Sequence, residues 1–141
     1  MTELVLPQHT NALGTIFGGV VMGWVDIAAA IAAARYTRCP VVTVSVDQLS
    51  FLHPIRLGNI VTIEAVVTYT GKTSIEVEVT VCGEDPTKGE KFKTTHAFLT
   101  FVAISKDGKP VEDPAFKPET KQEKTRHSAA QKRRELRLSL R

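Results

Sequence analysis

The chain has 141 residues, 43% hydrophobic and 23% charged, with a formal net charge of +3. This is an ordinary soluble composition, long enough for one domain with a sizeable core. Its two cysteines, Cys39 and Cys82, form neither a disulfide framework nor a metal spacing, and residues 1–16 lack the basic start and apolar run of a signal peptide, so a reduced, cytoplasmic protein is expected.

The charge is unevenly placed. Residues 117–141 carry nine Lys/Arg against three Glu, whereas residues 1–116 carry nine Lys/Arg against twelve Asp/Glu. A basic tail can serve nucleic acid, a membrane surface or a polyanionic ligand. No aromatic residue accompanies this one, so a solvated terminal helix is expected, without a nucleic-acid partner.

In chain order, Leu4-Val5-Leu6, ended by Pro7, reads as a short edge strand. Residues 8–11 form a loop and Gly14 a turn. A helix then begins between Phe17 and Val20 and stops before Pro40. It is apolar on every face, the mark of a buried helix. Gly23 and the alanines at 28–30 and 32–34 let another element approach its backbone closely. Asp26 stands in the middle of this apolar surface. An ionised group there without partners is costly, so it is either hydrogen-bonded for structure or held for chemistry. The run is long enough to span a bilayer. It is rich in Gly and Ala, however, carries an acid at its centre, and has no second copy. A helix wrapped by a sheet accounts for it better, and no membrane insertion is expected.

Residues 41–52 are rich in β-branched side chains and form a strand closed by His53-Pro54. Residues 60–70 and 73–81 alternate as two strands joined by a two-residue turn, Gly71-Lys72, in a long hairpin with one face buried and one wet. After a polar loop at 83–89, residues 91–104 form the last strand. Residues 111–118 follow Pro110, hold Pro114 and Pro118, and read as an extended linker. From about Glu119 to Leu138 the sequence is helical but poorly amphipathic, a mobile or partner-dependent helix. The division is a domain at 1–110, the linker at 111–118 and a basic helix or tail at 119–141. One helix against a mostly antiparallel sheet is an α+β arrangement. A sheet covers only one side of the helix, so at least a dimer is expected.

One pattern carries further. Pro7, His9-Thr10-Asn11, Gly14 and Phe17-Gly18-Gly19 are followed by Met22 and Trp24-Val25-Asp26. Then come Val42-Thr43-Val44-Ser45-Val46-Asp47, Phe51, Pro54-Ile55, Gly58, Gly71-Lys72-Thr73-Ser74 and Thr100-Phe101-Val102-Ala103. Over residues 3–105 this resembles the hotdog-fold acyl-CoA thioesterases, in the YciA-like and brain-type acyl-CoA hydrolase branch. The resemblance implies a curved antiparallel sheet around the central helix and dimers with a continuous sheet. It also implies trimers of dimers, and active sites at the dimer interface. It assigns the catalytic carboxylate to Asp26 and the partner amide, from the opposing subunit, to Asn11. His9 stands where relatives often have an acid, and Ser50 where some have Asn, which bears on acyl specificity.

The implied chemistry fits the residues. Asp26 can activate water as a general base or attack the thioester directly. Gly18 and Gly19, at the helix N-terminus, offer free backbone N–H groups as an oxyanion hole. They also give steric clearance. Asn11 can donate to the thioester carbonyl and orient water, although a loop Asn is also a turn former. Gly71, Lys72, Thr73 and Ser74 suit CoA phosphates, or form a plain hairpin turn. His53 and Arg56 are further CoA candidates. Phe17, Met22, Trp24 and Phe51 are candidates for an acyl channel, or simply core. No metal and no cofactor beyond the CoA of the substrate are expected. The alternatives are a non-catalytic acyl-CoA-binding sensor, and a dehydratase using His9 or His96 with an acid.

Overall fold

The computed structural model describes residues 1–140. In order the elements are β1 (Thr2–Leu4), a 3-10 turn (Pro7–His9), α1 (Gly18–Thr37), β2 (Val41–Phe51), β3 (Ile60–Thr70), β4 (Ser74–Asp85), β5 (Glu90–Ala103) and α2 (Lys121–Ser139). The strands form one 5-stranded sheet in the order β1-β3-β4-β5-β2, every neighbouring pair antiparallel. Helix α1 touches all four long strands, so the sheet wraps around it. This is the hotdog arrangement.

The inner face follows from the residue pattern. Ile75, Val77, Val79 and Val81 of β4 are fully buried, as are Val61 of β3 and Phe101 of β5. They meet Val21, Val25, Ala28, Ala29 and Ala33 on one stripe of α1. Each fully buried Val or Ile contributes about 1.5–3 kcal/mol of transfer free energy. Small residues on α1 let the helix lie close to the strands. The rest of α1 stays open: Met22, Ile27 and Ile31 are exposed. In one chain, then, α1 is buried on one face and not all round, because the sheet reaches only that face. α1 meets the length and hydropathy of a membrane span, and its buried stripe is the packing of a core helix. The edge strand β2 likewise exposes Val42, Val44 and Val46.

Three boundaries differ from expectation. β1 sits earlier, pairing Thr2 with Thr62, Glu3 with Val61 and Leu4 with Ile60. Val5 leaves the strand, is buried, and donates its N–H to the Asn59 carbonyl at 3.0 Å, because Pro7 already opens the 3-10 turn. The 71–73 connection has three residues, closed by the Gly71 N–H on the Ser74 carbonyl at 2.8 Å. β4 continues to Asp85, through Gly83, where the Phe92 ring lies over the backbone and a Cβ would stand 2.5 Å from it.

The outer face differs most. Glu76, expected on a wet face, is 1% exposed. It accepts from Arg133 Nε at 3.1 Å, Arg133 Nη2 at 2.7 Å and Thr68 Oγ1 at 2.7 Å. Thr68 turns toward it through a register shift between Val67 and Tyr69. The Arg133 guanidinium also lies 3.6 Å from the Phe98 ring centroid. Arg126 faces Glu78 at 3.8 Å, and Arg137 faces Asp47 at 3.3 Å. Ala130 is fully buried. Helix α2 is therefore docked over the sheet, not solvated, and three of its four arginines, Arg126, Arg133 and Arg137, are spent on the acids of the outer face. The 119–141 tail so placed is described up to Leu140; Arg141 lies outside the described residues. The preceding linker is fastened too, with the Pro114 carbonyl accepting from Tyr36 at 3.0 Å and Thr70 at 3.2 Å.

Candidate active site

The segment before α1 is held by its own side chains. Asn11 Oδ1 accepts from the N–H groups of Leu13 at 2.9 Å and Thr15 at 3.3 Å, and Asn11 Nδ2 donates to Thr15 Oγ1 at 3.0 Å. Gly14 makes the turn with φ +76. Ile16 then donates to the Ile55 carbonyl at 2.8 Å and Phe17 to the His9 carbonyl at 2.9 Å. This stitching fixes where α1 starts. No side chain caps the helix. The N–H groups of Gly18 and Gly19 have no acceptor within the helix, and the helix dipole adds to their pull on negative charge.

A cleft of about 400 Å³ opens at this helix start, lined by Ile16, Gly18, Phe51, Leu52, His53 and Pro54 among others. A Cβ on Gly18 would lie 3.4 Å from the Phe51 ring, an ordinary contact that a side chain there could make. A Cβ on Gly19 would meet nothing within 4 Å, so close packing within one chain does not account for that glycine. Beyond the first turns of α1, Asp26 is half-buried and accepts a 2.7 Å hydrogen bond from Thr43 Oγ1. Thr43 was not among the expected site residues. Its only signal in the sequence is a hydroxyl within the β-branched run that opens β2.

The other expected residues separate. The Asn11 side chain bonds within its own loop and makes no hydrogen bond to Asp26 of the same chain. His53 lines the cleft, its ring tilted against that of Phe92 with centroids 4.3 Å apart. The Arg56 backbone bridges to Thr15, and its N–H donates to Asn59 Oδ1 at 2.8 Å. Phe17 and Met22 are exposed on the open side of α1 and do not line the cleft. Trp24 also lies outside it, packed on the core and edge-on to His9 at 5.1 Å. His9 Nδ1 accepts from the Leu6 N–H at 3.0 Å, a structural task. His96 lies against Glu78 at 3.8 Å on the outer face; burial, then the nearby Lys93, lowers its pKa. Residues 73 and 74 border a different hollow, under α2. Among the described residues no cluster of His, Cys, Asp or Glu could hold a metal ion.

Comparison with known proteins agrees with this geometry. The thioesterase superfamily model matches residues 13–90. An uncharacterized acyl-CoA thioester hydrolase of Bacillus subtilis, YkhA, is 42% identical over 94% of this chain and 77% of its own length. An apo-hexameric acyl-CoA thioesterase superposes with a TM-score of 0.94 at 42% identity, over 99% of this chain and 89% of that one. A Staphylococcus aureus acyl-CoA hydrolase, solved in complex with butyryl-CoA and CoA, superposes with a TM-score of 0.91 at 37% identity, over 99% of this chain and 85% of that one. Structures of that hydrolase also exist with an asparagine, an aspartate or a threonine replaced by alanine.

Proposed function

This chain belongs to the thioesterase superfamily, and we propose that it hydrolyses acyl-CoA to CoA and a carboxylic acid with Asp26 as the catalytic carboxylate. The observation that carries the reading is the 2.7 Å hydrogen bond from Thr43 to Asp26. Further support comes from spacing. The three residues replaced in the Staphylococcus aureus enzyme stand at the same intervals as Asn11, Asp26 and Thr43.

Thr43 holds Oδ1 of Asp26 and leaves Oδ2 for water. Asp26 takes a proton as the water oxygen adds to the thioester carbonyl. The resulting oxyanion lies against the N–H groups of Gly18 and Gly19 of a second copy, since the same chain's helix start stands about 12 Å along α1 from Asp26. Collapse breaks the C–S bond, and the departing CoA sulfur takes the proton back from Asp26. Asn11 supplies its amide from a second copy, which pairs along the free edge of β2 and covers the open side of α1. That copy also brings Phe17 and Met22 into the acyl channel beside Phe51.

Thiol release from a series of acyl-CoAs tests the assignment. Asp26→Asn is expected to lose about 10²–10⁴-fold in rate, the usual contribution of a positioned base. Thr43→Val is expected to lose less, by weakening the hold on the carboxylate. Folding and oligomeric state should not change in either. Negligible release by the native protein, with acyl-CoA still bound, would replace the hydrolase with a binding module.

A further inference from the structure

A hollow of about 320 Å³ lies between α1 and β3. Ala28 and Ala32 of α1 and Ile63 and Ala65 of β3 line it, with Ile31 beside them and Arg35 at its edge. Ala28 and Ile63 are buried, whereas Arg35 is exposed. The gap is there because two alanines face the strand where larger side chains would close it. It is separate from the candidate active site. Arg35 follows Asp26 by nine residues, or two and a half helical turns, so the two side chains leave α1 in opposite directions. Asp26 turns to Thr43 of β2, and two strands, β4 and β5, stand between β2 and β3 in the sheet. The second copy proposed above pairs along β2, away from this hollow. Charge marks the hollow as more than a packing gap. No acid lines it, and Arg35 has no carboxylate partner among the described residues. An arginine in the last turn of a helix complements the helix dipole, but that task needs no apolar hollow beside it.

We propose that this hollow binds a free alkyl carboxylic acid, with the chain against Ala28, Ala32, Ile63 and Ala65 and the carboxylate on the Arg35 guanidinium. Arginine meets a carboxylate through a two-pronged, charge-assisted hydrogen bond. The alanines and Ile63 offer the chain a surface without polar groups to desolvate. Charge selects the acid over its thioester, because a thioester is neutral at that position and would leave Arg35 unmatched. The lining also disfavours a phosphate: it holds one guanidinium and no hydroxyl. The volume stands at the small end of the roughly 300–1,000 Å³ of ligand pockets, which suits a chain of medium length. A free acid is the class of product that the proposed hydrolysis releases. The choice of ligand class rests on that reading; the site itself rests on the hollow and Arg35. Such an acid would be a second ligand on the helix that carries Asp26, bound apart from the acyl channel.

The test is calorimetric titration of the full chain with decanoate. The native protein is expected to bind it. Arg35→Gln is expected to weaken binding about tenfold or more, as loss of a charged hydrogen bond implies. The same variant should bind decanol, which has the chain and no charge, as the native protein does. Ala32→Leu fills the hollow and is expected to abolish binding of both. Arg35 is exposed, so Arg35→Gln carries the test even where Ala32→Leu fails to fold. Decanoate seated in the acyl channel instead would bind Arg35→Gln and the native protein equally. A further copy of the chain filling the hollow would leave decanoate unbound, and Arg35→Gln would then alter the oligomeric state. Either result overturns the proposal. Thiol release, measured on the same samples, keeps the two readings apart. Decanoate binding that depends on Arg35, without thiol release, would retain the site and remove the hydrolase. Thiol release without decanoate binding would do the reverse.

Discussion

Helix α1 meets the inner face of the sheet through valine and alanine, whereas α2 meets the outer face through arginine. Both contacts bury strand residues completely: Val77 and Glu76, neighbours in β4 pointing opposite ways, are 0% and 1% exposed. The energetics differ. Val77 gains by leaving water. Glu76 loses solvation and regains it only if the Arg133 fork and the Thr68 hydroxyl keep their geometry. The inner face therefore supplies stability with tolerance of detail. The outer face fixes where α2 lies and contributes less net stability.

The largest effect should come from the inner face. Phe101→Ala removes a ring that is 0% exposed and is expected to cost about 3–5 kcal/mol, read by denaturant titration. This half of the fold was legible in the sequence because its pattern is local. Alternation in β4 and the small residues of α1 already pointed to a sheet wrapped on a helix. The place of Gly18, Gly19 and Asp26 on that helix could be read for the same reason, whereas the roles proposed for them came from the resemblance. Thr43 was harder. Its pairing with Asp26 depends on how α1 and β2 cross, which no spacing along the chain encodes.

A smaller loss is expected on the outer face, and it should be reversible by design. Arg133→Ala leaves Glu76 buried beside the more distant Arg137 and should cost about 3 kcal/mol. The pair Arg133→Leu with Glu76→Met should recover most of that, since an apolar pair of similar volume needs no resolvation. A double replacement as damaging as the single one would show that the ion pair itself contributes the stability, and the contrast between the faces would fail. The docking of α2 was not legible because its contact surface is charged. A helix that buries arginine against glutamate has the residue pattern of a solvated one.

The smallest effect tests the linker that carries the chain from the inner to the outer face. Asp113 is tied there by its N–H to the Lys72 carbonyl at 2.8 Å, while both its carboxylate oxygens are buried without partners. Burial raises its pKa from 3.8 to about 6. The sign follows from proton binding. Below 3.8 both folded and unfolded chains hold the proton, and the group is neutral in its effect. As pH rises toward 6 the unfolded chain releases its proton first, so the folded state loses stability across that window. Asp113→Asn removes this titration. The variant should melt slightly higher than the native protein above pH 6 and no higher below pH 3.8. An equal gain at both ends would mean that the linker is strained by shape and not by charge. The outer face would then owe its weakness to the path of the chain as well as to its ions.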